Sequence, residues 1–199
     1  MEAYRLATLR AVCYLDVMSR KMAGVIEEAS RLEALAMAIY TRLAATFRHD
    51  PDLHRFWMSM ARHEAAHVGA LALLKTLLAQ STDELRLEVD DSAAVEAAAV
   101  IERLHDETAA PVDVERAFAI ALELESLELE DLVLDLIHVL SDPAARAQAE
   151  QMLLHDLSDL SLMIEKHCRG DELLARADAL VESRVSGPAR SSSGFVRKC

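Results

Sequence analysis

Residues 63–67 read HEAAH, and their types and spacing suit two kinds of metal chemistry. Read as H-E-x-x-H, the segment offers two histidines as zinc ligands and a glutamate between them as a general base. Read as E-x-x-H, the same segment contributes Glu64 and His67, half of the ligand set of a two-metal site inside a four-helix bundle. The elements that surround HEAAH decide between these interpretations.

The composition is typical of an almost wholly helical protein. Of the 199 residues 52% are apolar, and only 5 glycines and 4 prolines interrupt them. The net charge of −13 disfavours nucleic acid and anionic membranes as partners. The N-terminal residues are too charged for a signal peptide, and no apolar run approaches the roughly 18 residues of a membrane span. The three cysteines lie far apart without a C-x-x-C motif, so we expect a cytoplasmic protein without disulfides.

Two Asp-Pro pairs divide the chain into helices. Asp50-Pro51 and Asp142-Pro143 each end one helix and begin the next, because proline suits the first turn of a helix and not its interior. The polar run at 81–92 is predicted to connect two halves. The predicted organisation is a helix at 1–24 ending at Gly24, a bundle at 25–168 with halves 25–80 and 112–168, a helix at 171–184 and a disordered tail at 185–199; within the bundle, helices are predicted at 25–48, 51–80, 93–107, 112–140 and 143–167.

The two halves form a weak internal repeat. The HDP of residues 49–51 aligns with the SDP of 141–143 without a gap, at an offset of 92 residues (141 minus 49). Two such helical hairpins packed together make a four-helix bundle. The alignment places Glu33 on Glu125, Glu64 on Asp156, and His67 on Asp159.

The first half places acidic residues on apolar stripes. Glu33 interrupts a stripe with the three- and four-residue spacing of a helix that faces a bundle core, and Glu64 and His67 interrupt the next one. A buried carboxylate costs several kcal/mol unless it is paired or bound to a metal. Mixed carboxylate and imidazole ligands suit iron or manganese. The stripes are Ile26, Ala29, Glu33, Met37, Tyr40, Ala44 and Phe47, and Phe56, Met60, Glu64, His67, Leu71, Leu74 and Leu78.

Residues 33–74 also carry a recognisable pattern, in which a glutamate is followed by a tyrosine, an L-A pair, a phenylalanine and A-x-x-E-x-x-H-x-x-x-L. The matching residues are Glu33, Tyr40, Leu43-Ala44, Phe47, Ala61, Glu64, His67 and Leu71. This pattern resembles the first half of a rubrerythrin-type member of the ferritin-like superfamily. The resemblance implies an all-α, ferritin-like four-helix bundle, here with an extra N-terminal helix and a short C-terminal helix. It also implies a di-iron (sometimes manganese) centre that reacts with O₂ or peroxide or oxidises Fe(II).

The resemblance implies a ligand set drawn from both halves. Glu33 and Glu125 would be terminal ligands, Glu64 and Asp156 bridging ligands, and His67 the imidazole of one metal, with Tyr40 beside the site. The chain has no rubredoxin module, so electrons would come from an external donor, and the family implies a homo-oligomer.

The second half departs from this pattern. The family has E-x-x-H in the fourth helix, where this chain has Asp156 and Asp159. Glu125 and Glu128 resemble the paired glutamates that some rubrerythrins carry in the third helix, and Glu123 takes the place of Glu125 if the preceding loop is two residues shorter. The second metal position is therefore less well defined than the first.

Other interpretations use the same residues differently. A zinc protease needs a third ligand and a strand edge for its substrate, and the sequence offers neither. The His-Asp dipeptides resemble those of the helical HD phosphohydrolases, but the order of the remaining ligands fits poorly. Glu33, Glu64 and His67 without a metal would be an ion-pair cluster, and the aspartates a solvated helix face. The bundle would then be a metal-free scaffold or partner-binding module, and His63 and His155 are in either case predicted to be exposed.

Overall fold

The computed structural model describes the backbone of residues 2–80, 91–127 and 156–186, and the side chains of 23–79, 95–127 and 156–185. Within these ranges the protein is helical and contains no strand, which confirms the all-α prediction. None of the described helices is both long and apolar enough to cross a bilayer. The helices are α1 (Glu2–Thr46), α2 (Pro51–Gln80), α3 (Asp91–Glu107), α4 (Val114–Glu125), α5 (helical over the described residues 156–167) and α6 (Asp171–Ser186).

The first helix is longer than predicted. It passes through Gly24 without a break, so residues 2–24 form one helix with those that follow, and not a separate N-terminal helix. A glycine inside a helix costs only about 1 kcal/mol relative to alanine, which the helix-forming residues on both sides offset. The turn after Thr46 agrees with the prediction, since Oδ1 of Asp50 accepts hydrogen bonds from the backbone N–H groups of Asp52 and Leu53 and so caps α2.

The helix predicted over 112–140 does not continue through Ser126, because α4 ends at Glu125. Its N-terminus is capped by Asp113, whose side chain accepts a hydrogen bond of 2.7 Å from the backbone N–H of Arg116. At the other end the hydroxyl of Ser126 donates to the carbonyl of Glu123 at 2.9 Å, a local bond that competes with continued helix. Of the connector predicted at 81–92, residues 91–92 already belong to α3, and of the tail predicted at 185–199, residues 185–186 still belong to α6. The other residues of both segments, and the restart at Asp142-Pro143, lie outside the described residues.

The helices pack around a cluster of aromatic side chains. α1 lies along α2 and also contacts α3, while α4 contacts α3 and α6. Trp57 is fully buried at the centre, stacked on Tyr40 with ring centroids 6.1 Å apart and in contact with Phe118 at 5.0 Å. Both predicted stripes face inward, which confirms them: on α1 and α2 their buried members are Ile26, Ala29, Glu33, Tyr40, Ala44, Phe56, Met60, Glu64, Leu71 and Leu74.

Candidate metal centre

The α1–α2 hairpin brings together Glu33, Glu64 and His67. Glu33 is 1% exposed and Glu64 is 6% exposed, although both are carboxylates. Nδ1 of His67 lies 3.4 Å from Oε2 of Glu33 and 3.5 Å from Oε2 of Glu64. One ligand atom from each of the three residues lies within 4.8 Å of the others. Within the described part of the chain, this is the set of side chains whose spacing suits a metal ion.

The separations in this cluster fit donors that share an ion better than they fit hydrogen bonds. Distances of 3.4 and 3.5 Å from imidazole nitrogen to carboxylate oxygen exceed the usual N–H···O range of about 2.7–3.2 Å. Two donors that each lie about 2.1 Å from one ion, at a tetrahedral angle, are about 3.4 Å apart. Oε1 of Glu33 is also buried without a hydrogen-bond partner among the described residues. The residues present therefore fit a divalent metal.

The basic side chain beside Glu33 and Glu64 is the imidazole of His67. No lysine or arginine among the described residues forms an ion pair with Glu33, Glu64 or Glu125. Burial, followed by the negative charge of Glu33, raises the pKa of Glu64 to about 8, although His67 opposes this shift. Burial, followed by the charge of Glu64, raises the pKa of Glu125 to about 7. Near pH 7 and without a bound cation, Glu64 and Glu125 therefore retain protons that the same residues lose in the unfolded chain.

Glu125 is the buried carboxylate of α4. It is 3% exposed, and its Oε1 accepts a hydrogen bond of 2.7 Å from the hydroxyl of Tyr40. That bond lowers the pKa of Glu125, whereas the charge of Asp156 raises it, so Glu125 lies within electrostatic reach of both α2 and α5. Tyr40, predicted to lie beside the site, therefore contacts one of its carboxylates directly.

Of the two alternatives on α4, the structure favours Glu125 over Glu123. Glu123 is partly exposed, forms an ion pair with Arg103 and lies 4.0 Å from Arg116. Its carboxylate is thereby neutralised at the surface and is separate from the cluster of α1 and α2. Glu128 lies outside the described residues.

The two aspartates of α5 differ in their surroundings. Oδ2 of Asp156 lies 2.8 Å from Nδ1 of His63, so this carboxylate contacts α2. Asp159 follows on the next turn and is half-buried, and it belongs to no metal-suited set among the described residues. The prediction that His63 is an exposed histidine is wrong: its side chain is only 28% exposed, because it packs towards α5. The spacing of His63 and His67, four residues apart on one helix face, was the available signal. His155 lies outside the described residues.

No protein-family model, curated protein or solved structure matches the chain. The buried cluster and the E-x-x-H pattern therefore carry the functional proposal.

Proposed function

We propose that the protein is a ferritin-like, rubrerythrin-type metal protein that holds iron, or alternatively manganese, between its helices. It would act as a non-haem di-metal oxidoreductase on O₂ or peroxide, or would oxidise and handle Fe(II). The observation that carries this proposal is the set formed by the buried Glu33 and Glu64 and the partly buried His67, whose ligand atoms lie within 4.8 Å of one another. Placing such groups in a core is costly unless a cation accompanies them.

The proposed layout uses two helical hairpins. α1 and α2 pack along each other on either side of the turn at 47–50, which supports the first half of a four-helix bundle. α4 and α5 would supply the second half, with Glu125 and Asp156 turned towards the first. Glu33, Glu64 and His67 would hold one ion, and Glu125 and Asp156 would contribute to a second, with Asp159 beside it.

The residues of the chain would prepare this site in three ways. Leu71 and Trp57, both fully buried, help exclude water from the interior in which the carboxylates lie. The hydroxyl of Tyr40 orients Glu125 through its hydrogen bond. Glu64 and Glu125, which retain protons near neutral pH, would release them when a cation takes their place. Bound iron would supply the electrons for reducing O₂ or peroxide, and an external donor would restore them.

Metal content tests this proposal directly. The untagged protein would be loaded with Fe(II) without oxygen, desalted and submitted to elemental analysis beside Glu64→Gln and Glu123→Gln. Glu123→Gln is a matched control, because it removes a carboxylate that is already paired with Arg103 at the surface. We expect about two irons per chain in the wild type and the control, as in bundle di-iron proteins, and a loss in Glu64→Gln. Wild-type protein that retains no iron, and no manganese in the parallel experiment, would contradict the proposal.

A metal-free scaffold or partner-binding module is the second candidate. The observation in its favour is the contact of Asp156 with His63, which gives this carboxylate a protein partner in the absence of metal. For such a scaffold, added metal should change neither the melting temperature nor the self-association of the wild type. The double variant Glu64→Gln with His67→Gln should show the same lack of response to metal. If the wild type alone is stabilised by metal, the scaffold interpretation fails, since a ligand that binds only the folded state raises its stability.

A further inference from the structure

The first histidine of HEAAH has a contact that the proposed ligand set does not use. Nδ1 of His63 lies 2.8 Å from Oδ2 of Asp156, which joins α2 to α5. The nitrogen is shielded from solvent, and its contact with Asp156 is an ion pair when the imidazole is protonated. The side chain of Asp156 is 14% exposed. A nitrogen donor and an oxygen donor from different helices therefore meet in a largely buried position.

The two histidines lie on opposite sides of Glu64 along one face of α2. Residues four apart on a helix are neighbours on its surface, so His63 and His67 are about one turn apart. His67 lies beside Glu33 of α1, whereas His63 lies beside Asp156 of α5. Each imidazole is thus paired with a carboxylate from another helix, and Glu64 stands between the two pairs in the sequence. Glu125 is the buried carboxylate on which the charges of both Glu64 and Asp156 act.

We propose that His63 is the imidazole ligand of a second metal ion, which it binds together with Asp156. This inference rests on the proposed metal-binding function and specifies its second half. In the repeat, the position for a fourth-helix histidine is occupied by Asp159; the nitrogen donor would instead come from α2. A single HEAAH segment would then supply one imidazole to each of two ions.

The separation of the two donors suits this role. Donors that each lie about 2.1 Å from one ion and subtend a right angle are about 3.0 Å apart, so the 2.8 Å contact needs little adjustment. One imidazole and one or two carboxylates, completed by water, is a donor set that iron and manganese accept. A purely structural ion pair between α2 and α5 would give the same distance in the metal-free protein, so metal binding has to separate the two roles.

A Co(II) titration without oxygen, followed by visible absorption and elemental analysis, provides that separation. We would compare the wild type with His63→Gln, His67→Gln and the control His105→Gln, which alters a histidine on α3 whose nearby carboxylate is that of its exposed neighbour Asp106. His63→Gln should bind one ion fewer than the wild type and retain the absorption of the other. The affinity for that ion should fall by more than the roughly 10- to 100-fold that follows removal of a residue that only contacts a ligand. His67→Gln should lose the other ion, and His105→Gln should resemble the wild type.

Asp156→Asn provides a second route to the same result if His63→Gln fails to fold by circular dichroism. It should also remove one ion and leave the absorption of the Glu33–Glu64–His67 ion unchanged. If His63→Gln and Asp156→Asn both bind as much Co(II) as the wild type with the same affinity, His63 is a structural partner and the inference is overturned. In that case the proposed function still stands, provided that Glu64→Gln loses metal. If the wild type binds no Co(II), Fe(II) or Mn(II), the proposed function and this inference both fail.

Discussion

Replacing Glu64 by glutamine should stabilise the metal-free protein at neutral pH. The glutamine side chain has nearly the same shape but does not ionise, so it avoids the cost of placing a carboxyl group beside Glu33 in the core. That cost appears as the raised pKa of Glu64, which is about 8 in the folded protein against an ordinary value of 4.5. At pH 7 the unfolded chain has lost the proton that the folded protein still holds.

The magnitude follows from the two pKa values. Each pH unit between the ordinary pKa and the solvent pH costs about 1.4 kcal/mol, which amounts to about 3 kcal/mol for Glu64 at pH 7. The buried amide keeps part of its own desolvation cost, so a net gain of about 1–2 kcal/mol is expected. For a chain of this size, that gain corresponds to an increase of about 2–8 °C in melting temperature.

Thermal melts followed by circular dichroism would test this expectation in chelator at pH 5 and pH 7, and again with Mn(II). Glu64→Gln should melt above the wild type at pH 7, and the difference should shrink at pH 5, which lies closer to the ordinary pKa of 4.5. Mn(II) should raise the melting temperature of the wild type by more than that of the variant, which keeps only the second of the two proposed ions. Glu123→Gln, the surface control, should change stability by less than about 1 kcal/mol. The reasoning is refuted if Glu64→Gln melts below the wild type in chelator at pH 7.

Three further results are expected. The stability that Glu64 and Glu125 contribute in the metal-free protein should be fully present below pH 4.5 and be lost as pH rises towards their raised pKa values of about 8 and 7. Urea denaturation should therefore give a lower free energy of unfolding at pH 8 than at pH 5. An equal free energy of unfolding at both pH values would contradict the raised pKa values. Tyr40→Phe removes the donor to Glu125 and should cost about 1.5–3 kcal/mol in the same assay, more at pH 8 than at pH 5, and an equal loss at both values would mean that the bond does not favour the ionised carboxylate. Asp113→Ala removes the cap at the backbone N–H of Arg116 and should cost about 0.5–2 kcal/mol in thermal melts, whereas an unchanged melting temperature would show that α4 does not need this cap.

The features that followed from local patterns were predictable from the sequence. The buried face of α1 repeats every three or four residues, so the burial of Glu33 and Tyr40 could be anticipated without knowledge of their neighbours. The turn before α2 was equally local, because Asp50 caps the helix and Pro51 occupies its first turn. The cluster of Glu33 with Glu64 and His67 needed one further step, the pairing of two adjacent helices through a short turn.

Helix lengths were less predictable, because they depend on a balance of small terms. Gly24 has the residue type of a helix break, but its cost of about 1 kcal/mol is small beside the long run of helix formers that α1 contains. Ser126 carries no strong stop signal, yet the chain leaves the helix there and its hydroxyl bonds the carbonyl of Glu123. Single-residue preferences at such positions are of the same size as the packing energies that override them.

The partner of Asp156 illustrates what a repeat alignment cannot provide. Alignment of the two halves compares positions along the chain, and it makes Asp156 the counterpart of Glu64 in the repeat. Contact across a helix pair depends instead on the rotation of each helix about its axis, and one residue along a helix turns a side chain by about 100°. In the structure, Asp156 lies 2.8 Å from His63, the residue one position before Glu64. The fourth helix lacks a histidine at the family's position, but His63 of α2 places an imidazole beside Asp156. The metal titration of His63→Gln is therefore informative whether or not the repeat reflects a common origin of the halves.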